Sequence, residues 1–556
     1  MSHFLTSLFL AFQQTVVSLK LLSLLGSLVG QTSTSLLPFY YIELMQMAPF
    51  TKPCLEAIER DIVSKNLGPR GLLTISEKLL ENSIRPLKVP PDCKFSEYHL
   101  LFTGANMRWE QLALLFTAAG LAAILLVPTD PLLSFVGQLP ADKQQFIHRM
   151  LRLGSSCLGF CTDVGHLNDL GVWILHEHCL LLSQVLGDAH YLTWRRFGDL
   201  ASALFATGLH QEIKESPDVP FWLTEFRRRC VGVIYGIDKM MSVFLGRPPR
   251  VSQRYCSVIT PLDLDFEDFA EEGPELSKKL ASIDKITGWN VDGAMRKSSH
   301  TRCFVIINRI REDILELSLG RSVDDVSTIS ADIARRNEEA WNDFPKSHKY
   351  YSEIWTGKRT ADECVTTVII YLDVVYNEFL LQRTLVRRVR APSEALIRIS
   401  RLLLSTCITV VNNRSHLSPV GCDAAWIVVL YGLPASGVLA LELLQQSQNR
   451  AQMTKDFPRS EVIQNLSVFV ACLGWIHMEG DGNYHLCIQA RNMIQRILDR
   501  VLSPEAAYSS HQPEPTPANG DYPDESLYDF SWMDNAQFDA DFWSNLDFHP
   551  LLAIPE

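Results

Sequence analysis

Residues 187–212 read GDAHYLTWRRFGDLASALFATGLHQE, residues 217–251 read PDVPFWLTEFRRRCVGVIYGIDKMMSVFLGRPPRV, and residues 261–269 close the stretch with the acidic run PLDLDFEDF. The pattern predicts two helices, a linker, a third helix and a turn. Leu192, Phe197, Leu200, Ala201, Leu204 and Phe205 recur at three- and four-residue spacing, which puts them on one helical face. Gly208 follows the last apolar turn as a C-cap, because glycine tolerates the left-handed conformation a helix end often needs. Pro217 and Pro220 then interrupt the helix. Leu223, Phe226, Cys230, Val233, Ile234, Ile237 and Met241 resume the spacing over about five turns of 3.6 residues. Gly246 and Pro248-Pro249 stop it sharply.

The same periodicity extends outward. Residues 141–154 and 169–186 read as helices, and the second, LGVWILHEHCLLLSQVLGD, is apolar nearly all round and therefore predicted buried. Residues 275–320 and 360–390 give further amphipathic helices; in TTVIIYLDVVYNEFLLQR, Ile370, Val374, Phe379 and Leu380 line one face. Residues 393–412, 423–446 and 460–478 complete the array, punctuated by Gly421, Gly432, Pro434 and Gly437. Alternating β-branched runs and a fixed repeat period are both lacking, so the fold class is all-α, without a sheet or a solenoid. Upstream, Pro86, Pro90 and Pro91 mark a linker that ends near Lys94. The chain therefore divides into an apolar N-terminal segment and linker (1–95), a helical array (96–500) and a C-terminal tail (501–556).

Composition agrees with a folded body. The apolar fraction is 47% and the charged fraction 21%, proportions of a globular chain. The 556 residues suffice for two to four domain-sized units or one large helical domain. A net charge of −12 excludes a chain that binds DNA over its whole surface, because that affinity comes from Lys and Arg neutralising phosphates. The clusters Arg227–Arg229 and Arg383–Arg390 read as solvated helix faces and salt-bridge partners. Thirteen cysteines, odd in number and irregular in spacing, fit reduced intracellular thiols and not a disulfide framework.

One ordered set of residues carries a family resemblance. Gly187-Asp188 is followed by Trp194-Arg195 with Gly198 and Ala201, by Gly208-Leu209-His210, by Glu225 before Arg227-Arg228-Arg229, and by Tyr235, Asp238, Ser242 and Leu245-Gly246-Arg247-Pro248. In this order the set resembles the regulatory domain, or middle homology region, of fungal zinc-cluster transcription factors. Upstream, Leu101-Phe102-Thr103-Gly104, Arg108-Trp109-Glu110, Phe116 and Gly120 resemble the start of that domain in one subfamily, so the best match covers residues 96–270. One departure is Val231-Gly232, where the family commonly has an aromatic pair.

The resemblance implies a large helical regulatory domain in a nuclear protein that controls a biosynthetic gene cluster. It implies coactivators as partners, a homodimer or a heterodimer with a zinc-cluster factor, and a small-molecule effector held between helices. The six-cysteine cluster of the family is absent from this sequence, whose closest pair is Cys157 and Cys161. DNA contact is then expected through a partner, or through a zinc cluster on a missing N-terminal segment. No cofactor is expected in the chain as given.

The two ends each leave alternatives open. Residues 1–30 are apolar, yet lack a basic n-region and are interrupted by Gln13, Gln14 and Lys20; they read as a membrane anchor or signal, as a buried or partner-binding helix, or as an altered start. The alternative to a regulator is accordingly a membrane-associated or enzymatic helical protein that uses this segment. Residues 501–556 contain no Lys or Arg. Their Pro/Ser/Glu-rich first part cannot bury enough apolar surface to fold alone. In the second part Tyr522, Tyr528, Phe530, Trp532, Phe538, Phe542, Trp543 and Phe548 stand among acids. Mutual repulsion of acids keeps such rings solvated and free to dock as a short helix, the composition of an activation segment with Phe530, Trp532, Phe542 and Trp543 as its anchors. The other reading packs these rings on the chain's own core.

Catalytic signatures are missing. The sequence has neither a phosphate-binding glycine loop nor a nucleophile elbow nor a dinucleotide fingerprint, and no enzyme is expected. His176, Glu177, His178 and Cys179, with Cys157, Cys161 and His166 upstream, form the densest set of ligand-type residues. Two residues apart on a helix, His176 and His178 point about 200° from each other, so one helix cannot offer both to a metal. The acids Asp263, Asp265, Glu267 and Asp268 lack the glycine and terminal glutamate of a calcium loop and read as structural. Among the motif residues (Trp194, Arg195, Gly198, Arg228, Asp238, Gly246, Arg247 and Pro248) two roles are expected: Trp194 as a large buried face, and Arg247 bridging to Asp238 to fix a helix crossing.

Overall fold

Three- and four-residue apolar spacing dominates the described chain, and helices follow it. The computed structural model describes residues 47–125, 143–414 and 424–503, apart from 66–67, 166, 270, 297–298, 321–324, 358, 449–456 and 477–479. The architecture is all-α; among the described residues the β pairing is one isolated antiparallel bridge, Ile283 with Asn290. Residues 1–46 and 504–556 lie outside the described residues, and with them the apolar N-terminal segment and the anchors Phe530, Trp532, Phe542 and Trp543.

Helices α1 (Ala48–Ile58) and α2 (Pro69–Ile84) precede α3 (Trp109–Leu125), α4 (Lys143–Asp163), α5 (Asp169–Leu186), α6 (Tyr191–Ala206) and α7 (Phe221–Leu245). The turn α8 (Phe266–Phe269), α9 (Gly273–Ala281), α10 (Ser299–Leu319), α11 (Val326–Asp343), α12 (Ala361–Val389) and α13 (Glu394–Asn412) follow. Last come α14 (Ala424–Ile427), a π-turn (Val428–Gly432), α15 (Leu433–Gln448), α16 (Arg459–Leu473) and α17 (Tyr484–Leu502). Packing runs from neighbour to neighbour: α3 on α4 and α5, α5 on α6, α7 on α10, α10 on α12, α12 on α11 and α13, α13 on α15 and α16, and α17 on α15 and α16.

The proline linker joins two parts of one core. Phe50 of α1 meets Phe95, Tyr98 and Phe226 at ring separations of 5.0, 5.2 and 6.1 Å. The Met47 amide donates to Glu177 Oε1 in α5 at 2.6 Å. Helix α5 is buried nearly all round, as its composition predicts.

Several expectations are corrected. One helix, α6, stands where two were expected before the linker, since nothing interrupts Tyr191–Ala206; residues 187–190 form its entry turn, with the His190 ring capping the Leu192 amide at 3.2 Å. Leu192 is exposed and does not join the apolar face. Gly208 has φ +74° just past α6, and Gly246 closes α7 at φ +63°. Pro434 does not end a helix: it lies at the start of α15, directly after the π-turn that absorbs the hydrogen bond a proline cannot donate. Helix α11, not expected from the sequence, is mostly polar on its outer faces and buries Ser330, Ile333 and Asn337. Helix α17 was not expected either, although it carries an apolar stripe of Leu486, Ala490, Ile494 and Leu498.

Two segments, Ala361–Val389 and Ala425–Ser447, are long and apolar enough to cross a membrane, but 89% and 94% of their apolar windows are buried among other helices. They are core helices by environment. In α12, Ile370 and Val374 pack in a separate small cluster with Trp289 and Phe344, whereas Phe379 and Leu380 join the main core. The predicted single face is therefore two.

Candidate functional site

Helix α7 presents one face to a polar network and another to an apolar cleft. Tyr235, Asp238, Lys239 and Ser242 stand on the first, and Ile237, Met240, Met241 and Phe244 on the second. Its neighbour α10 approaches closely because of two glycines. A Cβ on Gly232 would lie 2.6 Å from Val305, and one on Gly236 would lie 2.1 Å from the Phe304 ring. The Val231-Gly232 departure thus has a packing reason here: an aromatic at position 232 would collide with α10.

On the polar face, Lys239 Nζ donates to Asp238 Oδ2 at 2.9 Å, lies 3.3 Å from Glu312 Oε2 and donates to the Val251 carbonyl. All three ionisable side chains are fully buried. The remaining negative charge is spread over neutral donors. Asp238 accepts from the Arg250 and Val251 amides at 3.0 and 2.9 Å. Glu312 accepts from Ser252 Oγ at 2.6 Å, from the Gln253 amide at 3.0 Å and from Tyr235 Oη at 2.7 Å. Burial and the Glu312 carboxylate push the Tyr235 phenol well above its ordinary range, so it stays a donor. This network fastens the chain after Gly246 onto α7 and α10. A network whose members are all satisfied fixes geometry, whereas losing one partner strands a buried charge.

Of the motif residues, Trp194, Gly198, Asp238 and Arg247 meet near this junction, with roles that differ from those expected. Trp194 is half-buried; the Arg250 guanidinium lies 3.4 Å from its ring centroid and Arg247 lies 5.1 Å away. Arg250 also donates from Nη1 to the Trp194 carbonyl at 3.1 Å. Trp194 is therefore a platform for cations and not a buried face. The expected Arg247–Asp238 bridge is not made: the carboxylate is taken up by Lys239 and the two amides of the turn. Arg250 does the joining, and its place after the Pro-Pro turn was the available signal. Gly198 faces this guanidinium; a Cβ there would meet it at 3.6 Å, an ordinary contact. Arg195 and Pro248 are exposed. Arg228 holds Glu225 and the Ile213 carbonyl (3.0 Å), and Glu225 takes the Leu262 amide at 3.0 Å, tying both flanking connections to α7. Arg227 pairs with Asp169 at 2.6 Å, while Arg229 is buried and not on a solvated face.

Across α7 lies the cleft. Phe197 and Thr193 of α6, Cys179 and Leu180 of α5, the four α7 residues above, and Trp426, Val429 and Leu430 around the π-turn line a cavity of about 70 Å³. Asp188 lies at the cleft and receives the Ser183 hydroxyl and Asn483 Nδ2 (2.9 Å). Thr193 donates to the Gly187 carbonyl at 2.9 Å. His176 also lines the cleft, is 1% exposed, and neither ring nitrogen has a hydrogen-bond partner. Burial lowers its pKa to about 3, so the ring is neutral.

The other ligand-type residues do not assemble. His178 points away from His176 and meets Ser155 Oγ at 2.9 Å, as the helical geometry requires. Among the described residues no group of three or more His, Cys, Asp or Glu could hold a metal, and His166 lies outside them. The described cysteines are free thiols, all buried except Cys93. In the acidic run, Asp263 binds the Asn290 side chain and Ser299 Oγ (2.6 Å), and Asp268 accepts from the Asp265 amide at 2.8 Å and pairs with Lys279 at 2.8 Å; Glu267 is exposed. Comparison with family models, with curated proteins and with solved structures finds no match to the chain.

Proposed function

We propose that this protein is a transcription regulator that works in the nucleus, with a helical body that senses an effector and an acidic–aromatic tail that recruits coactivators. The observation that supports the reading is the meeting of residues scattered over about 60 positions, Trp194 and Gly198 at one end and Asp238 and Gly246 at the other, around one junction beside an interhelical cleft. They are the residues on which the resemblance to fungal zinc-cluster regulators rests. In this reading the cleft is the effector site, DNA is reached through a zinc-cluster partner or segment, and the target genes form a biosynthetic cluster.

The tail gives the direct test. Residues 501–556 fused to a heterologous DNA-binding domain should activate a reporter. Replacing Phe530, Trp532, Phe542 and Trp543 with alanine should reduce that activation by about tenfold or more, because the rings are the groups that dock. A silent fusion, or one indifferent to the four substitutions, removes the activator reading.

A further inference from the structure

We infer that the α5–α6–α7 cleft binds a neutral, mainly apolar small molecule bearing a hydroxyl group, anchored by His176; this deepens the effector reading above and rests on it for its biological meaning, though not for its test. Three observations carry it. First, the walls are apolar: Phe197, Ile237, Met240, Phe244 and Leu430 offer hydrophobic contact from three elements. Two of the wall residues belong to a methionine pair, whose unbranched side chains adapt to ligand shape. Another wall is the π-turn, a widened helical turn that recurs at functional sites.

Second, His176 is a buried polar group with both nitrogens unpartnered at the cleft wall. Leaving such a group unpaired forfeits a hydrogen bond, which a ligand group would restore. A neutral imidazole has one N–H and one lone pair, so it can accept from a hydroxyl or donate to it. The competing hydroxyls are already committed, Thr193 to the Gly187 carbonyl and Ser183 to Asp188. Third, the charge of the lining selects against acids. Asp188 lines the cleft, and among the described residues neither lysine nor arginine does so. A carboxylate entering would lose its water with no cation to receive it, which is costly.

The test uses three probes of one shape on the full-length protein by equilibrium dialysis: 2-naphthol, 2-methylnaphthalene and 2-naphthoate. The expected order is 2-naphthol tightest, by about three- to tenfold over 2-methylnaphthalene, which is the range of one net hydrogen bond. The naphthoate should bind weakest. His176→Phe should erase the preference for 2-naphthol while leaving 2-methylnaphthalene unchanged, and Met240→Trp should weaken both by filling the cleft. Equal binding of 2-naphthol and 2-methylnaphthalene, tightest binding of the naphthoate, or no binding of any probe would overturn the inference. So would displacement of 2-naphthol by a synthetic peptide of residues 522–548, since that would assign the cleft to the chain's own tail. The three-probe comparison on the native chain decides the matter even where His176→Phe does not fold. None of these readouts involves a reporter, so a failed cleft and a failed activator remain distinguishable.

Discussion

Trp194 lies beneath two cations, Arg250 and Arg247. Its size suggested a buried anchor, whose truncation typically costs 3–5 kcal/mol. In the structure its ring is half-buried and covered by the Arg250 guanidinium at 3.4 Å. Trp194→Ala should therefore destabilise by about 1–2 kcal/mol, the scale of a partly desolvated cation–π contact with its packing. Thermal melting checks this; a loss above about 3 kcal/mol would mean the ring anchors the core after all. The same junction explains why Asp238 does not need Arg247. Two backbone amides and Lys239 already satisfy the carboxylate, and those amides become available only once the Pro-Pro turn folds back.

At the scale of elements, the α7–α10 crossing depends on what two glycines omit. The Phe304 ring occupies the space where a Gly236 Cβ would stand, and Phe304 is itself buried and stacked on His300 at 5.7 Å. Gly236→Ala gains up to about 1 kcal/mol of helix propensity but forces this packed ring to move. Overpacking of that kind costs about 1–3 kcal/mol, so the variant should be less stable than the parent. Gly159 in α4 supplies the control: a Cβ there meets nothing within 4 Å. Gly159→Ala should stabilise, by up to about 1 kcal/mol. Denaturant unfolding of the two variants should give shifts of opposite sign, and shifts of the same sign would refute the close-approach account of the crossing.

Over the whole molecule, burying ionisable side chains in α5 makes stability depend on pH. Glu177 is fully buried, and loss of solvation raises its pKa from the ordinary 4.5 to about 8. His176 and His178 are lowered from 6.5 to about 3 for the same reason. Between pH 3 and 6.5 the unfolded chain takes up histidine protons that the folded chain refuses, so these groups make stability rise with pH. Between pH 4.5 and 8 the folded chain keeps the Glu177 proton that the unfolded chain releases, so this group makes stability fall as pH rises. Glu177→Gln removes only the second effect. Its melting temperature should gain on the parent steadily from pH 5 to pH 8 and level off above. A difference constant across that range would show that Glu177 titrates normally.

The all-α class, the ends of α6 and α7, and the burial of α5 were legible in the sequence because each rests on local physics: helical period, glycine and proline at boundaries, and a helix apolar on every side. The neighbourhood of the site was legible too, since Trp194, Gly198, Asp238 and Gly246 do surround one junction. Their partners were not. Arg250 over Trp194, Glu312 against Lys239, and the cleft that leaves His176 without a partner are all set by which helices come together. Arg250 and Trp194 stand 56 residues apart in sequence, and Glu312 and Lys239 stand 73 apart (312 − 239). Periodicity tells each helix which face to bury. It does not tell it against whom, because any apolar face satisfies another, and that choice is made only when side-chain volumes, buried charges and missing Cβ atoms must fit at once.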